Sequence, residues 1–286
     1  MSQIVYVNGE FVPAAEAKVS VFDRGFLMAD AVYEVTSIIG GKIIDFEGHA
    51  TRLQRSMSEL EMVSPVTMDE LLQIHRDIIE KNNLDEGGVY LQITRGAPDV
   101  RDFAWPDPEE VPCGIVLFTF HKPMVDSKVM DEGIKVISIA DERWGRRDIK
   151  TTQLLYPSFA KMQAKKQGCQ DAWLVEDGFV TEGTANNAYI VKDGVIITRQ
   201  LGNEILHGIT RAAILRFARE AQMKVEERPF TIAEAQDADE AFVTSATGFA
   251  QPVIEIDGAQ IGTGVPGDIS KRLREIYTEE MIKAAI

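Results

Sequence analysis

Two side chains in this sequence have types that could act together on one reactive group. Lys150 lies in the run Arg146-Arg147-Asp148-Ile149-Lys150-Thr151-Thr152-Gln153-Leu154-Leu155, and Glu182 in Val180-Thr181-Glu182-Gly183-Thr184-Ala185-Asn186-Asn187. A lysine amine forms an imine with an aldehyde. A carboxylate holds a pyridine nitrogen protonated. Those are the two protein groups that pyridoxal phosphate chemistry needs. Either residue by itself reads as an ordinary surface charge; the runs around them, met together and in order, carry the argument.

Other stretches supply what a phosphate needs. His207-Gly208-Ile209-Thr210-Arg211 precedes a helical pattern, so the amides of Ile209 and Thr210 form an open helix N-terminus, a ready anion site. Phe242-Val243-Thr244-Ser245-Ala246-Thr247-Gly248 ends a strand in hydroxyl-bearing and small residues, a second phosphate contact. Arg52, in His49-Ala50-Thr51-Arg52-Leu53, adds a guanidinium whose planar fork suits phosphate oxygens.

Several other signals carry nothing. Gly262-Thr263-Gly264-Val265-Pro266-Gly267 fits a dinucleotide fingerprint, but only one helix follows it, so it reads as a turn and helix entry. His49, His75, His121 and His207 are scattered, with no metal-ligand spacing, and no metal is expected. His49 is expected at a helix entry near Arg52. Cys113 and Cys169 read as small buried hydrophobes, and Trp105, Trp144 and Trp173 as core or loop anchors.

The elements that must position these groups can be read from pattern. Ile4 to Val7 and Phe11-Val12 flank Asn8-Gly9 as a hairpin. Ala31 to Ile39 is a strand, turning at Gly40-Gly41 into a second, Lys42 to Phe46. A helical pattern runs from His49 through Leu53, Met57 and Leu60. Thr67 caps a helix to Lys81, with Glu70 as its capping-box partner. Val89 to Thr94 and Gly114 to Phe120 are strands around a long proline-bearing loop, 95–112, of a length that often carries function. Ile134 to Ile139 is a strand and Ser158 to Gln167 a helix. Ala172 to Val175 and Ala188 to Val191 lead into turns at Asp177-Gly178 and Asp193-Gly194. Thr210 to Met223 is a helix with Ile214, Phe217 and Ala221 inward. Glu240 to Thr244 and Val253 to Ile256 are strands, the latter turning at Asp257-Gly258, and Asp268 to Ala285 is the last helix. The pattern predicts an α+β or mixed α/β protein of two domains: 1–120, a connector over 121–133, and 134–286, with Lys150 in the second.

Composition sets outer limits. The chain has 286 residues, 45% of them apolar and 26% charged, ordinary for a globular protein with a sizeable core. A net charge of −15 argues against nucleic acid and against a polybasic membrane contact. Two cysteines make no disulfide framework, the N-terminal residues do not read as a signal peptide, and no stretch approaches a membrane span, so the expected compartment is the cytoplasm.

Taken together, these motifs resemble those of the class IV, fold type IV pyridoxal-phosphate aminotransferases. The likeness runs from Asp23-Arg24-Gly25 and Tyr33-Glu34-Val35 to Ile254-Glu255-Ile256-Asp257-Gly258. It is strongest toward the D-amino acid aminotransferases, with branched-chain aminotransferases, (R)-amine transaminases and aminodeoxychorismate lyases as cousins. The resemblance implies that Lys150 carries the cofactor as a Schiff base, that Glu182 binds its ring nitrogen, and that Leu206 packs on the ring. Arg52, Ile209, Thr210, Ser245 and Ala246 would then bind the phosphate; Ser245 and Ala246 stand where the D-amino acid enzymes have a Ser-Thr pair. Tyr33 and Arg101 align with the pair that traps the substrate α-carboxylate, and Phe103 replaces an expected histidine. The resemblance implies ping-pong transamination between a D-amino acid and a 2-oxo acid, and a homodimer. Phe103 leaves (R)-amine transamination open.

Overall fold

The structure is a computed structural model and describes residues 2–286, with the side chains of Val129 and Met130 excepted. The chain forms two compact units. Among the described residues, one contains 2–123, 149–153 and 284–286, and the other 124–148 and 154–283. The units therefore do not follow chain order as expected. The change at 123/124 falls inside the expected connector, 121–133, part of which is helical. Residues 149–153, with Lys150, pack in the first unit instead of the second.

The first unit is an antiparallel sheet with helices. Its strands are β1 (Ile4–Val7), β2 (Glu10–Pro13), β3 (Ala31–Ile39), β4 (Lys42–Ile43), β5 (Glu86–Thr94) and β6 (Gly114–His121), in the order β2-β1-β6-β5-β3-β4. A short helix, α1 (Arg24–Met28), precedes β3. The Asp23 carboxylate caps it by accepting from the amides of Gly25 and Phe26. Helix α2 (Phe46–Glu59) packs on β3, and α3 (Met68–Asn82) on β1 and β6. The strand expected over Lys42 to Phe46 stops at Ile43, because Asp45 takes φ +51 and the helix starts at the next residue. The capping box of Thr67 and Glu70 is present in full.

The second unit holds a nine-stranded mixed sheet. Helix α4 (Val129–Glu132) leads into β7 (Ile134–Ala140), and α5 (Leu155–Lys166) into β8 (Asp171–Glu176) and β9 (Phe179–Gly183). Strands β10 (Asn187–Lys192) and β11 (Val195–Thr198) come before α6 (Ile209–Glu220), β12 (Lys224–Glu227) and α7 (Ile232–Gln236). Strands β13 (Glu240–Ser245), β14 (Phe249–Ile256) and β15 (Ala259–Gln260) precede α8 (Asp268–Ala284). The order is β12-β11-β10-β13-β14-β7-β8-β9, with β15 on β14. The three Asp-Gly turns close hairpins. Each aspartate has φ near +50 and each glycine a larger positive φ, the backbone that such two-residue turns demand.

Helix α5 begins three residues earlier than the pattern suggested, with Pro157 in its first turn, where a missing N–H costs nothing. In α6, Ala221 is exposed at the C-cap, and Ala218 fills the inward place beside Ile214 and Phe217. The core of the sheet gathers Trp173, Phe230, Val136, Val180 and Ile256. Cys113 and Cys169 are free and only half-buried. Among the described residues no helix is long and apolar enough to cross a membrane, and no His, Cys, Asp and Glu group could hold a metal.

Candidate active site

In the first unit, Lys150 is tied by its backbone to the start of β3, on the side of that strand away from β5. Its carbonyl accepts from the Tyr33 amide at 3.0 Å, and Val32 bridges to Thr151. The Lys150 amide donates to Ser56 Oγ at 3.3 Å. These bonds fix the backbone of Lys150, and its Nζ lies 4.2 Å from the centroid of the Tyr33 ring. Tyr33 in turn stacks on Tyr90, and Tyr90 on Phe118. Burial, with Tyr33 beside it, pushes the Tyr90 hydroxyl up to about 12, so it stays neutral. The lysine thus rests on an aromatic face supported by two further rings.

Beside Tyr33 in sequence, but on the opposite face of β3, Glu34 holds the second cationic group. Its two oxygens accept from Arg52 Nε at 2.8 Å and Arg52 Nη2 at 2.7 Å, and His49 Nδ1 lies 2.7 Å from Oε2. All three side chains are buried. Burial alone would raise the Glu34 carboxyl; the charge and hydrogen bonds of Arg52, with His49, hold it well below the usual carboxylate range. His49 does stand near Arg52, and the role of Glu34 had no local signal in sequence: the pair is formed by a strand and the next helix.

The loop over 95–112 is anchored by its backbone. The Arg24 guanidinium donates to the carbonyls of Asp102, Phe103 and Ala104, and Arg95 lies over the Trp105 ring at 4.0 Å. Arg101 and Phe103 are exposed and lie together, Cζ to ring centroid 5.1 Å. No described contact joins either of them to Lys150 or Tyr33.

In the second unit, Glu182 ends β9 and is buried. Its Oε1 accepts from Arg143 Nη1 at 2.7 Å. Its Oε2 accepts from Asn187 Nδ2 at 2.9 Å and the Leu206 amide at 3.1 Å. Burial pushes the Glu182 carboxyl above its ordinary value, and Arg143 and the Leu206 amide pull it back only in part. Arg143 is itself fixed by Asp141, which also accepts from Thr181. An ionised carboxylate has about four lone-pair positions. Three are taken here, so one further N–H donor can be received.

The neighbouring pieces converge on this carboxylate. Asn187 bonds both Glu182 and the Leu206 carbonyl, and it pairs across the sheet with Thr244, one residue before Ser245. Gly208 is the N-cap of α6 and offers no side-chain cap, so the first-turn amides, with Ile209 and Thr210, open at this end. A Cβ on Gly208 would stand 2.1 Å from Asn187 Oδ1. Only glycine leaves the space. Within this unit, then, Asn187 joins Glu182, Leu206 and the glycine before Ile209 and Thr210, while Ser245 and Ala246 follow its strand partner Thr244 in sequence. Arg143 is joined to Glu182 too. Asn187 was visible in the Asn-Asn run, whereas Arg143 sits in no local motif that marks it.

Each unit by itself holds groups that fit parts of pyridoxal phosphate: the first an amine for the aldehyde, and the second a buried carboxylate with an acceptor position for a ring N–H and an uncapped helix N-terminus for the phosphate. The Amino-transferase class IV family matches residues 31–256, which include every residue named above as a site candidate. The chain belongs to that family. It is an aminotransferase, an enzyme that transfers amino groups. It is 37% identical to a D-alanine aminotransferase of Staphylococcus haemolyticus over 277 residues, 96% of each chain. It is 35% identical to one of Listeria monocytogenes over 280 residues, 98% of this chain and 96% of that one. Among solved structures, this aminotransferase is similar to the branched-chain amino acid aminotransferase of Escherichia coli, with a TM-score of 0.86, 25% identity and coverage of 98% and 95%. It is also similar to that of T.th., solved with pyridoxamine 5'-phosphate, with a TM-score of 0.88, 25% identity and coverage of 98% and 94%. The mixed helix and sheet architecture is that of fold type IV.

Proposed function

We propose that this aminotransferase moves an amino group between a D-amino acid, such as D-alanine, and a 2-oxo acid, 2-oxoglutarate or pyruvate, in ping-pong fashion. Its cofactor is pyridoxal 5'-phosphate. The observation that carries the reading is the match to D-alanine aminotransferases across 96% of the chain. When bound, the cofactor supplies an electron sink for charge left at the substrate α-carbon. Lys150 Nζ would hold the cofactor by its aldehyde group and would take and return the proton at the substrate α-carbon. Glu182 accepts the ring N–H; its raised proton affinity makes it a strong acceptor. Leu206 packs on the ring. Arg52, the amides of Ile209 and Thr210, the Ser245 hydroxyl and the Ala246 amide hold the phosphate. Tyr33 and Arg101 receive the substrate carboxylate, with Phe103 beside Arg101. The enzyme works as a cytoplasmic homodimer.

The test mixes the protein with D-alanine and 2-oxoglutarate and follows pyruvate, with L-alanine as comparator, and follows acetophenone when (R)-1-phenylethylamine replaces the amino acid. Pyruvate from D-alanine alone is expected. Selective turnover of the amine would favour the second reading, (R)-amine transamination, which rests on Phe103. Lys150→Ala is expected to abolish turnover and the cofactor fixed to protein by borohydride. Normal turnover by the purified variant would end the assignment.

A further inference from the structure

The turn between β13 and β14 is held by a buried arginine that the reaction scheme leaves unused. Ser245 and Phe249 pair across this hairpin, so Ala246, Thr247 and Gly248 form its loop. Phe249 takes φ +55 while its ring is fully buried. A bulky residue in the left-handed region is strained, and the surrounding structure must hold it there. Arg274, on α8, does so. Its Nη1 donates to the Gly248 carbonyl at 2.7 Å, and its Nη2 to the Met124 carbonyl. Its Cζ lies 5.0 Å from the centroid of the Phe249 ring, which also packs on Tyr277.

The environment of Arg274 sets it apart. The buried arginines Arg52, Arg147 and Arg211 each face a carboxylate. Arg274 is equally buried, but its described partners are two carbonyls and a ring, with no carboxylate among them. Burial pushes its guanidinium down to about 10, so it remains cationic at neutral pH. A buried charge without a counter-charge is costly. It stands behind the loop to which a dianionic phosphate is assigned.

We propose that Arg274 is a positioning residue for the cofactor phosphate: it fixes the Ser245–Phe249 turn through the Gly248 carbonyl, and its uncompensated charge favours the dianion there. The proposal rests on the reading that Ser245 and Ala246 contact the phosphate. Its test uses the full chain freed of cofactor, titrated by absorbance with pyridoxal phosphate and with pyridoxal, which has the same ring and aldehyde but no phosphate. The unaltered protein is expected to prefer pyridoxal phosphate strongly. In Arg274→Met that preference is expected to shrink by about tenfold or more, from lost charge-assisted bonds, with pyridoxal affinity unchanged. Arg274→Lys keeps the charge without the two-carbonyl fork and is expected to fall between. An unchanged preference in Arg274→Met, equal weakening of both ligands, or failure of both variants to fold would assign Arg274 a purely structural role and overturn the proposal. Should the unaltered protein show no preference, or Ser245→Ala leave it intact, the phosphate reading itself fails, and the inference with it.

Discussion

Arg52 shows how a single buried residue is held in place. A guanidinium is held in one orientation by a buried carboxylate, Glu34, which also meets His49. Glu34 has its acidity strengthened in the fold, so its contribution to stability is present above the unfolded value, near 4.5, and is lost as pH falls below that toward the folded value. Glu34→Gln leaves Arg52 buried without its partner and is expected to cost about 3 kcal/mol at neutral pH. The acid limb of the stability curve below pH 4.5 should flatten in the same variant, because one titrating carboxylate has gone. Urea denaturation at several pH values checks both. Equal stability and an unaltered acid limb would show that the pair adds nothing. Lys150 and Glu182 were legible as residues because each sits in a distinctive run. The partnership of Glu34 and Arg52 was not, since no sequence rule pairs a mid-strand carboxylate with the following helix.

At the scale of elements, the N-terminus of α6 and the ends of β9, β10 and β13 form one unit around Glu182. Asn187 is its hinge point, bonded to Glu182 and to the Leu206 carbonyl and facing Gly208. Gly208→Ala would press on Asn187 and loosen the carboxylate. Its expected effect is a cofactor dissociation constant raised about tenfold, the scale of one hydrogen bond to a charged group. Equilibrium titration of the apoprotein measures it, and an unchanged constant would show that Asn187 does not orient Glu182. The hairpins and the Thr67 cap were readable because their chemistry is local: a turn needs positive φ, and a cap needs one oxygen near one amide. Strand β12, with the charged run Lys224–Glu227, has no such signal and exists only because β11 offers it a parallel edge.

Over the whole molecule, exposed apolar side chains mark faces that water alone covers poorly. Leu155, Phe159 and Met162 form a stripe on α5, spaced four and three residues apart, and Leu155 is 86% exposed. In the other unit, Phe26 and Phe103 are 70% and 77% exposed. A stripe of this kind is the sort of surface that a second subunit covers. If the proposed homodimer uses α5, sedimentation should give twice the 31.8 kDa of one chain, and Leu155→Asp with Phe159→Asp should give single chains. A protein that sediments as single chains at all concentrations would remove the homodimer from the proposal.

The sequence by itself determined what is written in contiguous residues: the family resemblance carried by the lysine run and the Val-Thr-Glu run, the Asp-Gly turns and the Thr67 cap. The turns and the cap depend on interactions between residues a few positions apart, and those survive in a linear reading. Only the tertiary structure decided that Lys150 rests on Tyr33 within the first unit, that Arg143 and Asn187 hold Glu182, and that Arg274 grips the turn after β13. Those contacts join residues far apart in the chain. Their partners are selected by sheet register and by the need to satisfy buried charge, which act only once the backbone is folded.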